Sequence, residues 1–484
     1  MSVLPHVRKL AGHSALYGTA DVFGSVVNLL LVPLYTTYLS TTDYGNLALL
    51  LLLGTVAKIV FRLGLDAGFF RIHYELPDEE ERRRLAGTVS LFTVFSGGIL
   101  FAAIAAWAGP LGRTLLGPGA PPGWVVLVAA DVYLGTFAFV PLSLLRIRGR
   151  PGVFSAFSAA RHAANTVLKV VLVTRGWGVA GVLWSDAIAT GLFSLALLPI
   201  ALRQAAPAFS PRLLRQALGF GLPKVPHGIL VQSLNLADRK ILDLFVARAE
   251  VGLYQMGYAF GTAVKFPLSA FEPAWQPFVY AQLRSPDAPA VLARVGTYAF
   301  AAVAAFGLAV AVLGREALVL MTPNNPAFWA AAPVIPVVAL AYVLHGAYLV
   351  GSIGIGVARE ARYYPMVTAA AAATNVGVNF ALIPRFGMMG AAWATVLAYA
   401  VMAGLGFAVS QRLYPLRFDW PRLARLAASA LLVFALSRLA PADLLPGLAV
   451  KLLLLAGFPL LLTASGVLRP GDWRELGRLA GPGV

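Results

Sequence analysis

The chain reads the same passage twice. Gly45, Gly54, Thr55 and Lys58 recur as Gly252, Gly261, Thr262 and Lys265, at a constant offset of 207 residues. Further along, Asn165, Arg175, Gly178, Gly181 and Trp184 recur as Asn375, Arg385, Gly387, Gly390 and Trp393, at offsets of 209 or 210, so small insertions separate the copies. Both copies lie in strongly apolar sequence. Self-similarity of this kind marks a chain assembled from two copies of one unit. Two parallel copies in a membrane protein fold as two helical lobes about a central cavity, which is the architecture of a transporter.

Composition supports the membrane. Hydrophobic residues make up 59% of the chain and charged residues 12%, with a mean hydropathy of +0.77; a soluble domain averages about 25% charged. A soluble chain of 484 residues cannot hide that much apolar surface. There is no cysteine, so disulfide and thiol chemistry are excluded and the redox compartment is unread. The apolar run over 16–38 is too long for a signal-peptide core and reads as an uncleaved first helix.

Hydropathy predicts an all-α polytopic membrane protein with about fourteen spans, near 14–38, 46–72, 87–109, 123–145, 153–174, 178–201, 217–243, 251–279, 291–314, 327–356, 363–383, 388–410, 422–440 and 446–468. The net charge of +17 is then a matter of orientation rather than of nucleic acid. Loops on one side hold 22 basic residues, from Arg8 and Lys9 through Arg82–Arg84 to Arg474 and Arg478. The other side holds 6: Arg113, Arg175, Arg248, Arg315, Arg385 and Arg438. The positive-inside rule places both termini in the cytoplasm. The organisation expected is an N-lobe over 1–201, a cytoplasmic linker over 202–215, a C-lobe over 216–410, and a two-helix appendage with a tail over 411–484. An even number of spans separates the copies, so the lobes share one orientation.

Ten basic residues fall inside apolar spans, and six of the seven lysines are among them. A lysine at mid-bilayer costs about 2.5–3.5 kcal/mol on insertion scales, so it faces a wet cavity or a partner. Lys58, Arg62 and Asp66 stand at i, i+4 and i+8 on the second span, one stripe of a helix. Arg161, Asn165 and Lys169 repeat that spacing on the fifth. Lys265 is the repeat counterpart of Lys58, with Glu272 two turns on, and Lys224 sits between Pro223 and Pro226. Together these nine residues are expected to line a polar cavity biased positive, able to draw in an anion such as phosphate or uronic acid. The alternative for Arg62–Asp66 is an ion pair that only helps helices pack. Asp238, Arg239 and Lys240, with Arg71 and Asp243, lie near helix ends, where gating and snorkelling to the headgroups explain them equally. Lys451 reads as a snorkeller, and the repeated glycines read as packing contacts.

Signals of enzyme chemistry are missing. No His/Cys/Asp cluster has metal-ligand spacing and no Walker A loop occurs. No cofactor is expected; a coupling ion, H+ or Na+, remains open.

Three stretches carry a family resemblance. Pro33-Leu-Tyr-Thr-Thr-Tyr-Leu-Ser-Thr-Thr-Asp-Tyr-Gly45 resembles the opening of the polysaccharide flippases of the multidrug/oligosaccharidyl-lipid/polysaccharide exporter superfamily. Phe220-Gly-Leu-Pro-Lys-Val-Pro226 followed by Leu234-Asn-Leu-Ala-Asp-Arg239 is a second match, and Glu250-Val-Gly-Leu-Tyr254 leading to Ala274-Trp-Gln-Pro277 a third. The resemblance implies two six-helix lobes that open alternately, and transport of undecaprenyl-diphosphate-linked oligosaccharides across the bacterial inner membrane. The partners it implies are that lipid-linked glycan, membrane lipids, and a polysaccharide polymerase and glycosyltransferases, with no nucleic acid. No cavity residue is carried over by motif. The competing expectations are a drug or cation antiporter of the same superfamily, a membrane-embedded polysaccharide ligase or polymerase, and a structural subunit of an export complex.

Overall fold

A computed structural model describes residues 30–467, other than 207, 284 and 442. Arg8, Lys9, Asp21, Arg284, Arg469, Arg474 and Arg478, and most of the first expected span, lie outside the described residues. The chain is all-α, with no strand among the described residues.

In the first half the helices are α1 (Val32–Tyr38), α2 (Thr41–Arg62), α3 (Leu65–Glu75), α4 (Glu79–Ala106), α5 (Ala108–Leu116), α6 (Pro122–Ile147), α7 (Pro151–Leu172), α8 (Gly178–Gln204), α9 (Pro211–Gly221), α10 (Val225–Phe245) and α11 (Arg248–Gly261). There follow α12 (Lys265–Gln282), α13 (Ala288–Met321), α14 (Val334–Gly351), α15 (Ile353–Val357), α16 (Tyr363–Leu413), α17 (Trp420–Ser437) and α18 (Leu444–Ala464). Among the described residues, nine helical stretches are long and apolar enough to cross a bilayer.

Two of those stretches are too long for one crossing. Gly152–Gln204 has 53 residues and Tyr363–Leu413 has 51. At about 1.5 Å per residue either would reach roughly 75–80 Å, against a hydrocarbon core of about 30 Å. Each is a hairpin broken at a glycine. Gly178 has φ 54° and ψ −134°, and Gly387 has φ 52° and ψ −133°. These two are repeat counterparts, and they share a backbone conformation that a side chain would strain. The repeat read from residue identity is therefore also a repeat of backbone geometry.

The described residues form two compact units. The first runs to Met256 and adds Ala372–Ala391; the second comprises Gly257–Ala371 and the residues from Ala392 onward. In the first unit α6 packs on α8 and α4, and α3 packs on α9. A core of Leu65, Phe69, Leu85, Val89, Phe139 and Ala217 holds α3, α4, α6 and α9 together. In the second unit α17 and α18 pack on α13 through Leu308, Val312, Leu426, Val433, Phe458 and Leu462.

One contact of the first unit joins the two copies of the repeat. A Cβ on Gly45 would lie 2.2 Å from the carbonyl oxygen of Arg248, and a Cβ on Gly252 would lie 1.9 Å from that of Thr41. The offset of 207 exchanges Gly45 with Gly252 and Thr41 with Arg248, so the contact is isologous, as expected at a twofold. Only glycine lets the two backbones come this close. Ser40 caps α2 just before this crossing, in a capping box with Asp43. Gly252→Val should cost about 1–3 kcal/mol through overpacking. Gly377→Ala, where an added Cβ meets nothing within 4 Å, is the control. Thermal midpoints of the two purified variants in detergent check this, and equal midpoints would refute the tight crossing.

Candidate functional site

The first unit encloses a cavity of about 750 Å³. Lys58 and Arg62 reach it from α2, Asp66 from α3, Asp131 from α6, Arg161 from α7, and Asp186 and Thr190 from α8. Tyr35, Tyr44, Thr55, Gln232 and Gln255 add neutral polar groups to the wall.

The stripe on α7 forms as its spacing predicts. Arg161 Nη2 donates to Thr190 Oγ1 at 2.8 Å, and Asn165 Nδ2 to Asp186 Oδ1 at 2.8 Å. Lys169 Nζ lies 2.9 Å from the same Asp186 Oδ1. The stripe meets a second stripe, Asp186 and Thr190 at i and i+4 on α8, because α7 and α8 run antiparallel from the Gly176–Gly178 break. The Thr190 hydroxyl in turn donates to Asp131 Oδ1 at 2.5 Å, which links Arg161 to a carboxylate on a third helix.

The α2 stripe differs from expectation. Lys58, Arg62 and Asp66 do share the cavity, but the helix is not continuous between them. Leu63 and Gly64 both have positive φ, 48° and 72°, and end α2 before α3 begins. Arg62 and Asp66 still pair at 2.7 Å across the break. Among the described residues Lys58 makes no hydrogen bond or ion pair, and its charged neighbours are Arg62, Asp66, Arg161 and Asp131.

The expected positive bias needs correction. Among the lining residues, three cations (Lys58, Arg62, Arg161) face three carboxylates (Asp66, Asp131, Asp186). Sequence reading placed Asp131 and Asp186 inside spans but not in the site. Neither has a basic partner one turn away on its own helix, so helical spacing gives no signal for them; the partners come from neighbouring helices.

Other expected residues lie elsewhere. Asn165 and Lys169 stand behind the wall, on Asp186. Lys224 is outside it, in a 3-10 turn, with its ammonium 4.1 Å over the Phe220 ring. Lys265 and Glu272 belong to the second unit, where the Lys265 ammonium sits 4.8 Å over Tyr342.

The helix-end charges do not snorkel. Asp238 is 0% exposed and Arg239 1%. Arg239 Nη1 pairs with Asp238 Oδ1 at 2.5 Å and its Nε donates to Gln255 Oε1 at 3.1 Å, while the Tyr254 hydroxyl donates to Asp238 Oδ2. Lys240 donates to the carbonyls of Thr114 and Leu115 and pairs with Asp243 at 3.0 Å. Arg248 pairs with Asp243 and donates to Asn46 and to the Leu116 carbonyl. Two cations thus satisfy the open carbonyls at the C-terminus of α5, where the helix dipole favours positive charge. Glu250 accepts the backbone N–H of Met388 beside the Gly387 break. Lys451 is not a snorkeller either: it pairs with the buried Glu316 at 2.6 Å in the second unit. Arg71 is exposed and paired with Glu75.

Residues 37–283, just over half of the chain, match the model of the polysaccharide biosynthesis protein family, and the chain belongs to that family. No curated protein matches it in sequence. Solved structures of similar fold include the lipid II flippase MurJ in an inward closed conformation, with TM-score 0.73 and 11% identity over 92% of this chain and 98% of that one. A multidrug resistance MATE family transporter of the MOP superfamily, inward-facing, gives 0.63 and 16% over 84% and 96%. A MOP superfamily transporter from Pyrococcus furiosus gives 0.53 and 15% over 87% and 96%. The fold is therefore that of a multi-pass membrane transporter or flippase.

Proposed function

We propose that the protein is a flippase of the bacterial inner membrane. It carries an undecaprenyl-diphosphate-linked oligosaccharide, the repeat unit of an O-antigen, capsule or exopolysaccharide, from the cytoplasmic to the periplasmic leaflet. The head group enters the chamber while the lipid tail stays in the bilayer. The lobes over 1–201 and 216–410 expose the chamber to each side in turn, driven by an H+ or Na+ gradient. No bond is made or broken; the cycle needs only differential affinity in the two states. What carries this reading is the chamber itself, in a chain of the polysaccharide biosynthesis protein family.

A drug or cation antiporter is the second reading. The carboxylates Asp66, Asp131 and Asp186 in the wall favour it, because they offer a cation partners.

Complementation of a flippase-null strain separates the two. Export of surface glycan should return with the wild-type chain. Arg161→Ala should lower it about tenfold, near 1.4 kcal/mol of lost affinity, with membrane levels unchanged on a blot. Arg161→Lys should retain more than Arg161→Gln, because charge outranks the bidentate fork in a wet site. Full export by the Arg62→Ala/Arg161→Ala double variant would overturn the role of the chamber. Drug resistance without glycan export would select the antiporter.

A further inference from the structure

We infer that the head group taken by this chamber is a low-charge oligosaccharide, neutral or zwitterionic in its sugars, whose single strong anion contact is a phosphate-type group at Lys58. The inference rests on the flippase reading and narrows its substrate class. Each carboxylate of the wall is already committed to an internal partner. Asp66 holds Arg62 at 2.7 Å. Asp131 accepts from the Thr190 hydroxyl, and Thr190 in turn accepts from Arg161. Asp186 takes Lys169 and Asn165. Among the described residues, Lys58 is the one cation of the wall with no hydrogen bond or ion pair.

A wall of matched pairs treats ligands differently from a wall of free cations. The Arg62–Asp66 pair presents a guanidinium edge that donates and a carboxylate edge that accepts, both halves of a hydrogen-bond set for the hydroxyls of a sugar. Thr55, Gln232 and Gln255 extend that neutral set. An acidic sugar gains from Lys58 and from Arg161, whose partner is the neutral Thr190 hydroxyl, and is opposed by Asp131 and by Asp66, whose side chain is 51% exposed. Like charges brought together in the chamber repel.

The repeat gives independent support. The counterparts of Arg62, Asp66, Arg161, Lys169 and Asp186 in the second copy are Ser269, Pro273, Ala371, Asn379 and Thr395, all uncharged. Only Lys58 keeps a charged counterpart, Lys265. The second copy thus adds no further cations at these positions.

The test uses the full chain in flippase-null strains whose repeat units are neutral, zwitterionic, or carry two uronic acids. Neutral and zwitterionic units should be exported to within about threefold of each other, and the diacidic unit about tenfold less. Asp66→Asn should raise the ratio of diacidic to neutral export about fivefold, since it removes the opposing charge. Diacidic export equal to or above neutral export by the wild-type chain would overturn the inference and leave the flippase reading standing. Absence of export for every unit, with the protein present in the membrane, would overturn the flippase reading and the inference with it.

Discussion

Arg239→Ala lowers the stability of the folded protein by about 3–5 kcal/mol, the cost expected when one partner of a buried ion pair is removed. Asp238 and Arg239 are among the most deeply buried charges of the chain, at 0% and 1% exposure. Neither can relax towards water. Arg239 Nη1 sits 2.5 Å from Asp238 Oδ1, its Nε reaches Gln255, and the Tyr254 hydroxyl closes the set on Asp238. Alanine at 239 leaves the carboxylate without its cation, with the Tyr254 hydroxyl and the backbone N–H of residue 239 as donors. The double variant Asp238→Asn/Arg239→Gln removes both charges together and should lose clearly less than Arg239→Ala, because the desolvation penalty goes with the charges. Thermal midpoints of detergent-purified protein decide this. A midpoint for Arg239→Ala equal to that of the wild type would show that the pair is not buried in the folded protein.

The same residues show what sequence can and cannot display. Periodicity reports which side chains share a helix face, so Arg161, Asn165 and Lys169 were legible as one stripe. The two hairpins were legible from hydropathy, which separates 153–174 from 178–201 and 363–383 from 388–410, but Gly178 and Gly387 read as packing contacts and instead take the positive φ of the breaks. Periodicity is silent on which helix faces the stripe. Asp131 and Asp186 are two of the wall's three carboxylates, yet their partners lie on other helices, so neither stood out. The same limit explains Lys451. Its partner Glu316 lies 135 residues earlier, so an internal ion pair looked like a snorkelling lysine. The break at Leu63–Gly64 hides for another reason: one glycine in an apolar run is ordinary, and Leu63 gives no warning of a positive φ. Asp238 and Arg239 looked like surface charge because they sit near a helix end. Burial there depends on α11 folding back on α10, which is a tertiary fact.

Cross-linking position 46 to position 248 should stop transport, and the effect should reverse when the link is cleaved. The two positions belong to different copies of the repeat. Arg248 Nη1 lies 2.8 Å from Asn46 Oδ1 and 3.0 Å from the Leu116 carbonyl, and the Gly45–Gly252 crossing is one turn away. Lys240 reinforces the junction through Thr114 and Leu115. Stretches that carry the family resemblance, around Gly45, Arg239 and Glu250, meet at this rim. It lies on the side poor in basic residues, the periplasmic side of the proposed topology. If the copies move as two lobes, release to the periplasm requires this rim to part. The individual hydrogen bonds are each worth only about 0.5–3 kcal/mol, so they can break in every cycle. A covalent link cannot. The chain has no cysteine, so Asn46→Cys/Arg248→Cys places the only two thiols in the protein. A short, reducible dithiol reagent should cut glycan export about tenfold or more, and reduction should restore it. The control is Gly98→Cys/Tyr133→Cys, which joins α4 to α6 within the first copy, where a Cβ at 98 would lie 3.4 Å from the Tyr133 hydroxyl. That link should leave export near its uncross-linked level. Unchanged export with the 46–248 link complete on a gel would mean that the rim stays closed through the cycle, and the alternating movement of the two copies would have to be abandoned.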